Sequence, residues 1–88
     1  MESKIINAQA TCLNLKKLIE EKGYTPTDII DFLNLGTVQA VYKWYATAQG
    51  KGRCLPSVDN MILLSRRLGV SLDDLYITND DMPLWAKE

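Results

Sequence analysis

The stretch from Gly23 to Trp44 constrains the fold most, because it contains two helical patterns separated by a stop signal. Thr25 can cap the first helix, and Pro26 suits its first position. Asp28 places a carboxylate near the positive end of the helix dipole. Apolar residues then recur at helical spacing: Ile29, Ile30 and Leu33.

A short turn follows, and a second helix is expected after it. Asn34 can adopt the left-handed conformation that ends a helix, and Leu35 and Gly36 form the turn. The second helix is predicted from about Thr37 to Ala46. At 100° per residue, one side of this helix is apolar, with Val41, Trp44, Tyr45 and Ala48 falling together.

The opposite side of the second helix has a different chemistry. It has no carboxylate, and it presents a long amide, a phenol, an ammonium group and a methyl group: Gln39, Tyr42, Lys43 and Ala46. Such groups suit nucleic acid, because Gln pairs with adenine, Lys with guanine, and an alanine methyl can contact thymine. The alternative interpretation is a solvated helix face with no partner.

Length and composition limit the classes of protein to which this chain can belong. Its 88 residues suffice for one small domain with one core. With 47% hydrophobic and 24% charged residues, the composition is typical of a globular protein. We expect no membrane span, because no apolar run approaches about eighteen residues. The first ten residues lack the apolar core of a signal peptide, so a cytoplasmic protein is expected.

Metal binding and catalysis have little support in the sequence. The chain has no histidine, and its two cysteines, Cys12 and Cys54, are far apart. We therefore expect no metal site, no cofactor and no catalytic residue, and we do not expect an enzyme. Reduced thiols are expected for a cytoplasmic protein, and a disulfide stays open as an alternative.

Charge is distributed unevenly along the chain, although the formal net charge is only −1. Residues 37–70 contain five cations and one carboxylate, Asp59. Residues 71–88 contain five carboxylates and one cation, Lys87. A basic middle beside an acidic end is compatible with a DNA-binding surface. It is equally compatible with an acidic tail that folds against the basic patch of its own or a second subunit.

Three further helices are predicted, giving five helices and no strand. The first covers residues 8–22 and ends at Gly23. Another begins at Pro56–Ser57 and ends at Gly69, and Ser71 caps a last short helix. We therefore predict an all-α, compact five-helix bundle over residues 1–78. Residues 79–88 form a tail whose apolar side chains are candidates for docking on the core or on a partner: Met82, Leu84 and Trp85.

The segment Thr47–Arg53 combines two glycines with two cations, Lys51 and Arg53. One interpretation is a flexible, solvated connector. The other is a clamp on nucleic-acid backbone, in which both cations contact phosphates and the glycines allow close approach.

The order of these features resembles the phage-repressor/Cro-type helix-turn-helix family, also called the XRE family. The resemblance covers about residues 14–76 and rests on segments of the sequence at 15–18, 21–25, 40–44, 55–60 and 68–75: LKKL, EKGYT, AVYKW, LPSVDN and LGVSLDDL. It implies a lambda-repressor-like bundle whose third helix, Thr37 to Ala46, enters the DNA major groove. The chain departs from the family at Pro26, where members often have a phosphate-contacting Gln, and in a turn at 34–39 that is one residue longer than in the shortest members.

The first functional hypothesis is a sequence-specific transcriptional regulator, a homodimeric repressor of double-stranded DNA. The resemblance and the helix face together give a set of DNA-binding candidates: Thr37, Val38, Gln39, Tyr42, Lys43, Ala46, Lys51 and Arg53. The second hypothesis is a protein-interaction module on the same fold, such as an antitoxin-like partner or an adaptor. The acidic pI of about 5.3 and the apolar tail favour this alternative.

Overall fold

The computed structural model describes residues 6–78, and these residues form five α-helices. The helices are α1 (Ala8–Glu21), α2 (Pro26–Leu33), α3 (Gln39–Ala48), α4 (Val58–Leu68) and α5 (Leu72–Leu75). Over this described range the extended structure is limited to one antiparallel bridge, between Ile6 and Thr78. The predicted all-α fold with five helices is confirmed. The predicted tail, 79–88, lies outside the described residues, so the predicted boundary after residue 78 stays a prediction.

One hydrophobic core receives side chains from every helix. α1 packs along α3, α2 packs against α3 and α4, and α5 packs against α4 and α1. The fully or nearly fully buried apolar side chains are Cys12, Leu15, Ile19, Ile29, Leu33, Val41, Trp44, Ala48, Met61, Leu64, Leu68 and Leu75. Since α3 contacts both α1 and α2, its orientation is fixed from two sides.

Four of the five helices begin at a residue whose side chain accepts a hydrogen bond from the first turn. These residues are Asn7, Thr25, Ser57 and Ser71. At α2 and α5 the carboxylate three residues later also returns a bond to the capping residue, which satisfies two backbone N–H groups at once. The predicted starts of α2 and α5 are therefore confirmed in detail.

Helix ends follow a common pattern in which the chain turns into the left-handed region. Gly23, Asn34 and Gly69 have φ values of 77°, 54° and 71°. After each of them the next backbone N–H bonds back to a carbonyl five residues earlier, as in Tyr24 to Ile19. This closure occupies carbonyls that would otherwise lack partners at the helix end. The three predicted helix stops are confirmed.

The segment after α5 is fastened to α1 by polar side chains that the sequence did not single out. The buried Thr11 hydroxyl donates to the Ile77 carbonyl and accepts from the Ile77 N–H, at 3.2 and 2.9 Å. The Asn14 amide donates to the Asp74 and Leu75 carbonyls at the end of α5. These bonds hold the segment after α5, near the end of the described chain, against the N-terminal half of α1.

The predicted limits of α3 were wrong by two residues at each end. Thr37 stands before the helix, because its hydroxyl accepts the Gln39 N–H at 2.9 Å and holds the chain outside the helical hydrogen-bond pattern. Val38 is the capping residue, although its side chain has no hydrogen-bonding group. At the other end Thr47, predicted as the first residue of the loop, belongs to the helix and is buried.

Candidate nucleic-acid interface

α3 has an inner face and an outer face, and their exposures differ sharply. We call Val41, Trp44 and Ala48 the inner face; their side chains are 0%, 3% and 5% exposed. We call Gln39, Tyr42, Lys43 and Ala46 the outer face. The first three of these are exposed, Tyr42 by 54%, and Ala46 is half-buried among them. The arrangement predicted from helical periodicity is therefore present.

The two residues before α3 differ in what they can offer a partner. Thr37 is exposed, but one lone pair of its hydroxyl is already used by the Gln39 N–H. Val38 is half-buried, and its carbonyl accepts the Tyr42 N–H at 3.1 Å. The first turn of α3 contains no acidic residue, so the positive end of the helix dipole is not offset by a carboxylate there.

The end of α3 determines where Lys51 lies. Gly50 has a φ of 87°, and the Gly50 and Lys51 N–H groups bond to the Thr47 and Ala46 carbonyls at 3.0 and 2.9 Å. This closure is the same as that of α1, α2 and α4. The backbone of Lys51 is thus held against the last turn of α3, while its side chain is exposed.

The other end of the loop is held by Thr47. The Thr47 hydroxyl donates to the Lys43 carbonyl at 3.0 Å and accepts the Cys54 N–H at 2.8 Å. Because both of its bonds are made, this buried hydroxyl is satisfied. The loop at 49–57 is therefore attached to α3 at both Lys51 and Cys54. Arg53 is exposed immediately before the second attachment.

The side of α3 that faces α1 includes one aromatic ring at its edge. The Lys16 ammonium lies 5.5 Å from the centroid of the half-buried Tyr45 ring, within the range of a cation–π contact. Burial raises the pKa of the Tyr45 hydroxyl, and the Glu20 carboxylate adds to the effect. Tyr45 therefore belongs to the contact between α1 and α3, and the outer face is limited to its four residues.

Arg67, a cation of the basic middle segment, makes a contact with an aromatic ring of α2. The Arg67 guanidinium stands 4.1 Å from the centroid of the Phe32 ring, and the Phe32 ring meets the Tyr24 ring edge-on at 4.9 Å. Arg66 and Arg67 both lie in the last turn of α4, where the negative end of the helix dipole favours cations. The contact with Phe32 was missed, because residues on different helices give no local signal of their proximity.

The predicted DNA-binding residues thus fall into two groups. Gln39, Tyr42, Lys43 and Ala46 share one surface of α3, with Thr37 and Val38 just before it. Lys51 and Arg53 lie in the loop that α3 leads into. The sequence did not single out Thr47 as the residue that positions this loop. The glycine at position 50, a helix stop two residues after Ala48, was a signal that could have placed Thr47 in the helix.

A cluster of metal ligands and a membrane-spanning helix have no counterpart among the described residues. Residues 6–78 bring together no group of three His, Cys, Asp or Glu side chains suited to a metal ion. Within the same range, no helix combines the length and the apolar character needed to cross a membrane.

No protein-family model, curated protein or solved structure matches this chain. The resemblance to the helix-turn-helix family therefore rests on the residues of the chain and on their order.

Proposed function

We propose that the protein is a sequence-specific DNA-binding transcriptional regulator that uses α2 and α3 as a helix-turn-helix. One observation supports this proposal above the others. The outer face of α3 presents an exposed amide, phenol and ammonium without a carboxylate, while the inner face anchors the same helix in the core. A rigid helix with such a face suits the major groove.

Each residue of the interface has a role that follows from its chemistry. Gln39 can pair with the edge of adenine, and Lys43 can donate to guanine. The Ala46 methyl suits contact with thymine, and Tyr42 adds a phenol for a base or a phosphate. Thr37 and Val38 lie just before α3, at the edge of this surface, where they would face the backbone of the DNA.

Lys51 and Arg53 are proposed as backbone contacts. Phosphate contacts fix the register of a protein on the duplex but carry no sequence information directly. The attachments of the loop to Ala46 and Thr47 suit this role, because they hold both residues close to the end of α3. Pro26 cannot make the phosphate contact that Gln often makes at this place in the family. This difference is consistent with a larger role for the loop in contacting the DNA backbone.

Specificity favours a homodimer. A single recognition helix reads roughly four or five base pairs, which gives too small a specificity ratio against the many competing sites in a genome. Two copies bound to half-sites about one helical turn apart would double the sequence that is read. We therefore propose that the protein acts as a repressor in the form of a two-fold symmetric dimer.

The test is selection of bound sequences from a random duplex pool, followed by fluorescence polarisation on the selected duplex. We expect a two-fold symmetric motif. Gln39→Ala should relax the preference at one base pair by about 1–3 kcal/mol of discrimination. Lys51→Gln should weaken binding to all duplexes and reduce the slope of log K against log salt by about 1.

Lys17→Gln is the matched control for Lys51→Gln. Lys17 is also an exposed lysine, but it lies on α1, so the variant removes the same charge from a different surface. We expect its salt slope to equal that of the parent. Equal losses in both variants would show that net charge alone governs binding and would contradict the proposed interface.

A protein-interaction module on the same fold is the second candidate, and exposed apolar side chains favour it. Leu13 on α1 is 55% exposed, and Val58 and Leu63 on α4 are 63% and 41% exposed. Exposed apolar groups of this size often mark binding surfaces when they are contiguous. The polarisation assay discriminates between the two functions, because a protein that binds no duplex even at low salt would support this candidate.

A further inference from the structure

The two cysteines are neighbours in space although 41 residues separate them in the chain. The Cys12 thiol donates to the Cys54 carbonyl oxygen with an Sγ–O distance of 3.4 Å. Cys12 is fully buried in the core, whereas Cys54 is exposed, and both are free thiols. The chain thus has one accessible sulfur and one sheltered sulfur at the same place.

Both residues have a backbone that is held in position. Cys12 lies within α1, and the Cys54 N–H bonds to the buried Thr47 hydroxyl at 2.8 Å. Cys54 is therefore tied on both sides, through its N–H to α3 and through its carbonyl to α1. A disulfide needs Cα atoms about 4.4–6.8 Å apart. The contact between Cys12 Sγ and the Cys54 carbonyl oxygen places the two residues side by side, and we expect the exposed Cys54 side chain to rotate toward Cys12 when the bond forms.

We propose that Cys12 and Cys54 form an intramolecular disulfide when the protein meets a peroxide, which fastens the loop at 49–57 covalently to α1. This proposal does not depend on DNA binding. It assigns to the pair a modification site in which the exposed residue reacts with the oxidant and the buried residue completes the bond.

The chemistry proceeds in two balanced steps. The Cys54 thiolate attacks one oxygen of hydrogen peroxide, the O–O bond breaks, and the sulfur becomes a sulfenic acid while the released hydroxide takes up a proton as water. The Cys12 thiol then gives up its proton, its thiolate attacks the Cys54 sulfur, the S–S bond forms and the S–O bond breaks, and the released hydroxide takes up a proton to leave as a second water. Two thiols are oxidised and one peroxide is reduced.

The exposures of the two thiols decide the order of these steps. Peroxide can reach Cys54 from solvent. Burial, with a smaller contribution from nearby Cys54, raises the pKa of the Cys12 thiol to about 11, so Cys12 is protonated at neutral pH and reacts second. The second step should accelerate about tenfold per pH unit above neutrality, because the thiolate fraction of Cys12 rises by that factor.

The experiment treats the reduced full-length protein with hydrogen peroxide and then blocks remaining thiols with N-ethylmaleimide. We expect an intact mass lower by two hydrogens, no alkylation, and a linked pair of peptides containing Cys12 and Cys54. Dithiothreitol should restore both thiols. Because the bond closes a long loop of chain, thermal unfolding of the oxidised protein should occur at a temperature higher by on the order of 10 °C.

Cys54→Ser is the control, because Cys54 is exposed and the change preserves a small polar side chain. This variant should form no cross-link and should keep Cys12 open to alkylation after unfolding. In Cys12→Ala, oxidation should stop at the Cys54 sulfenic acid. If Cys12→Ala fails to fold, Cys54→Ser and the parent still decide the question.

Two results would overturn the proposal. One is oxidised parent protein in which Cys54 is joined to Cys54 of a second molecule, or is overoxidised, while Cys12 is still a thiol. The other is an intramolecular disulfide that lowers the unfolding temperature, which would mean that the bond distorts the loop rather than fastening it.

Discussion

The inner and outer faces of α3 belong to the same ten residues, yet they are subject to different constraints. The inner face, Val41, Trp44 and Ala48, is enclosed by the core and packs toward α1 and α2. The outer face has three exposed side chains, and the fold makes no packing demand on them. Stability and recognition are therefore separable on this helix, and substitutions on each face should affect different measurements.

The two faces should differ most in the loss of stability that follows when their aromatic residues are replaced. Trp44→Ala removes a large side chain that is 3% exposed and should lower the free energy of unfolding by about 3–5 kcal/mol. Tyr42→Ala, on the outer face, is the matched control and should change it by less than about 1 kcal/mol. Urea denaturation of both variants measures the difference. Similar losses would show that the two faces are not energetically distinct.

The buried threonine at the end of α3 tests whether the loop is part of the inner, packed region. Thr47→Val keeps the shape of the side chain but leaves the Cys54 N–H without its partner, so we expect a loss of about 1–3 kcal/mol. Thr37→Val also removes one bond, to the Gln39 N–H, but water can replace it there. We expect Thr37→Val to lower the free energy of unfolding by less than about 1 kcal/mol. A larger loss for Thr37→Val than for Thr47→Val would mean that the loop is not part of the packed region.

Alkaline pH should lower the free energy of unfolding, because it ionises the buried thiol of Cys12, which contacts the loop. Burial raises the pKa of this thiol from its usual 9.0 to about 11. A raised folded-state pKa means that the contribution of Cys12 to stability is fully present below about pH 9. It is lost as pH rises toward about 11, by an amount on the order of 1 kcal/mol.

The measurement compares urea midpoints of the parent and Cys12→Ala across this pH window, with a thiol reductant present. The pKa values of Tyr45 and Tyr76 are also raised by burial, so both proteins should lose stability at high pH. The steeper decline expected for the parent isolates the thiol. Parallel curves for the two proteins would mean that Cys12 ionises in the folded state without a penalty.

The smallest expected effect on stability is also the most informative about recognition. Gln39→Ala and Lys43→Ala should each change the free energy of unfolding by no more than about 0.5 kcal/mol, because both side chains are exposed. The same variants are expected to alter binding to the selected duplex. Denaturation curves provide the first quantity, and a marked loss of stability would mean that the outer face helps to hold the fold.

Local signals predicted most of the architecture. The start of α2 followed from Thr25, Pro26 and Asp28, because a helix cap and the charge of the first turn depend only on residues that are close in the sequence. The stops at Gly23 and Gly69 were visible for the same reason. The start of α3 was missed because the Thr37 hydroxyl accepts the Gln39 N–H and keeps Thr37 and Val38 outside the helix. The end was missed because Thr47 was grouped with the glycines and cations that follow it, although Gly50 alone is the helix stop.

Contacts between distant parts of the chain could not be predicted from the sequence. Nothing near Arg67 reveals that Phe32 lies beneath it, and nothing near Cys12 reveals the Cys54 carbonyl. For the candidate site, periodicity predicted which residues share the outer face. It could not predict that Thr47 would fix the loop, because that bond joins residues that are seven apart and on different elements.

The bridge between Ile6 and Thr78 brings the two ends of the described chain side by side. In a chain trimmed to residues 6–78 these two positions could be joined by a short linker, which would allow a circularly permuted version of the bundle with new termini in a surface turn. A fluorophore pair attached at the two positions would start at short separation and would report unfolding as a loss of energy transfer. A domain attached directly at Ile6 or at Thr78 would lie next to the start of α1.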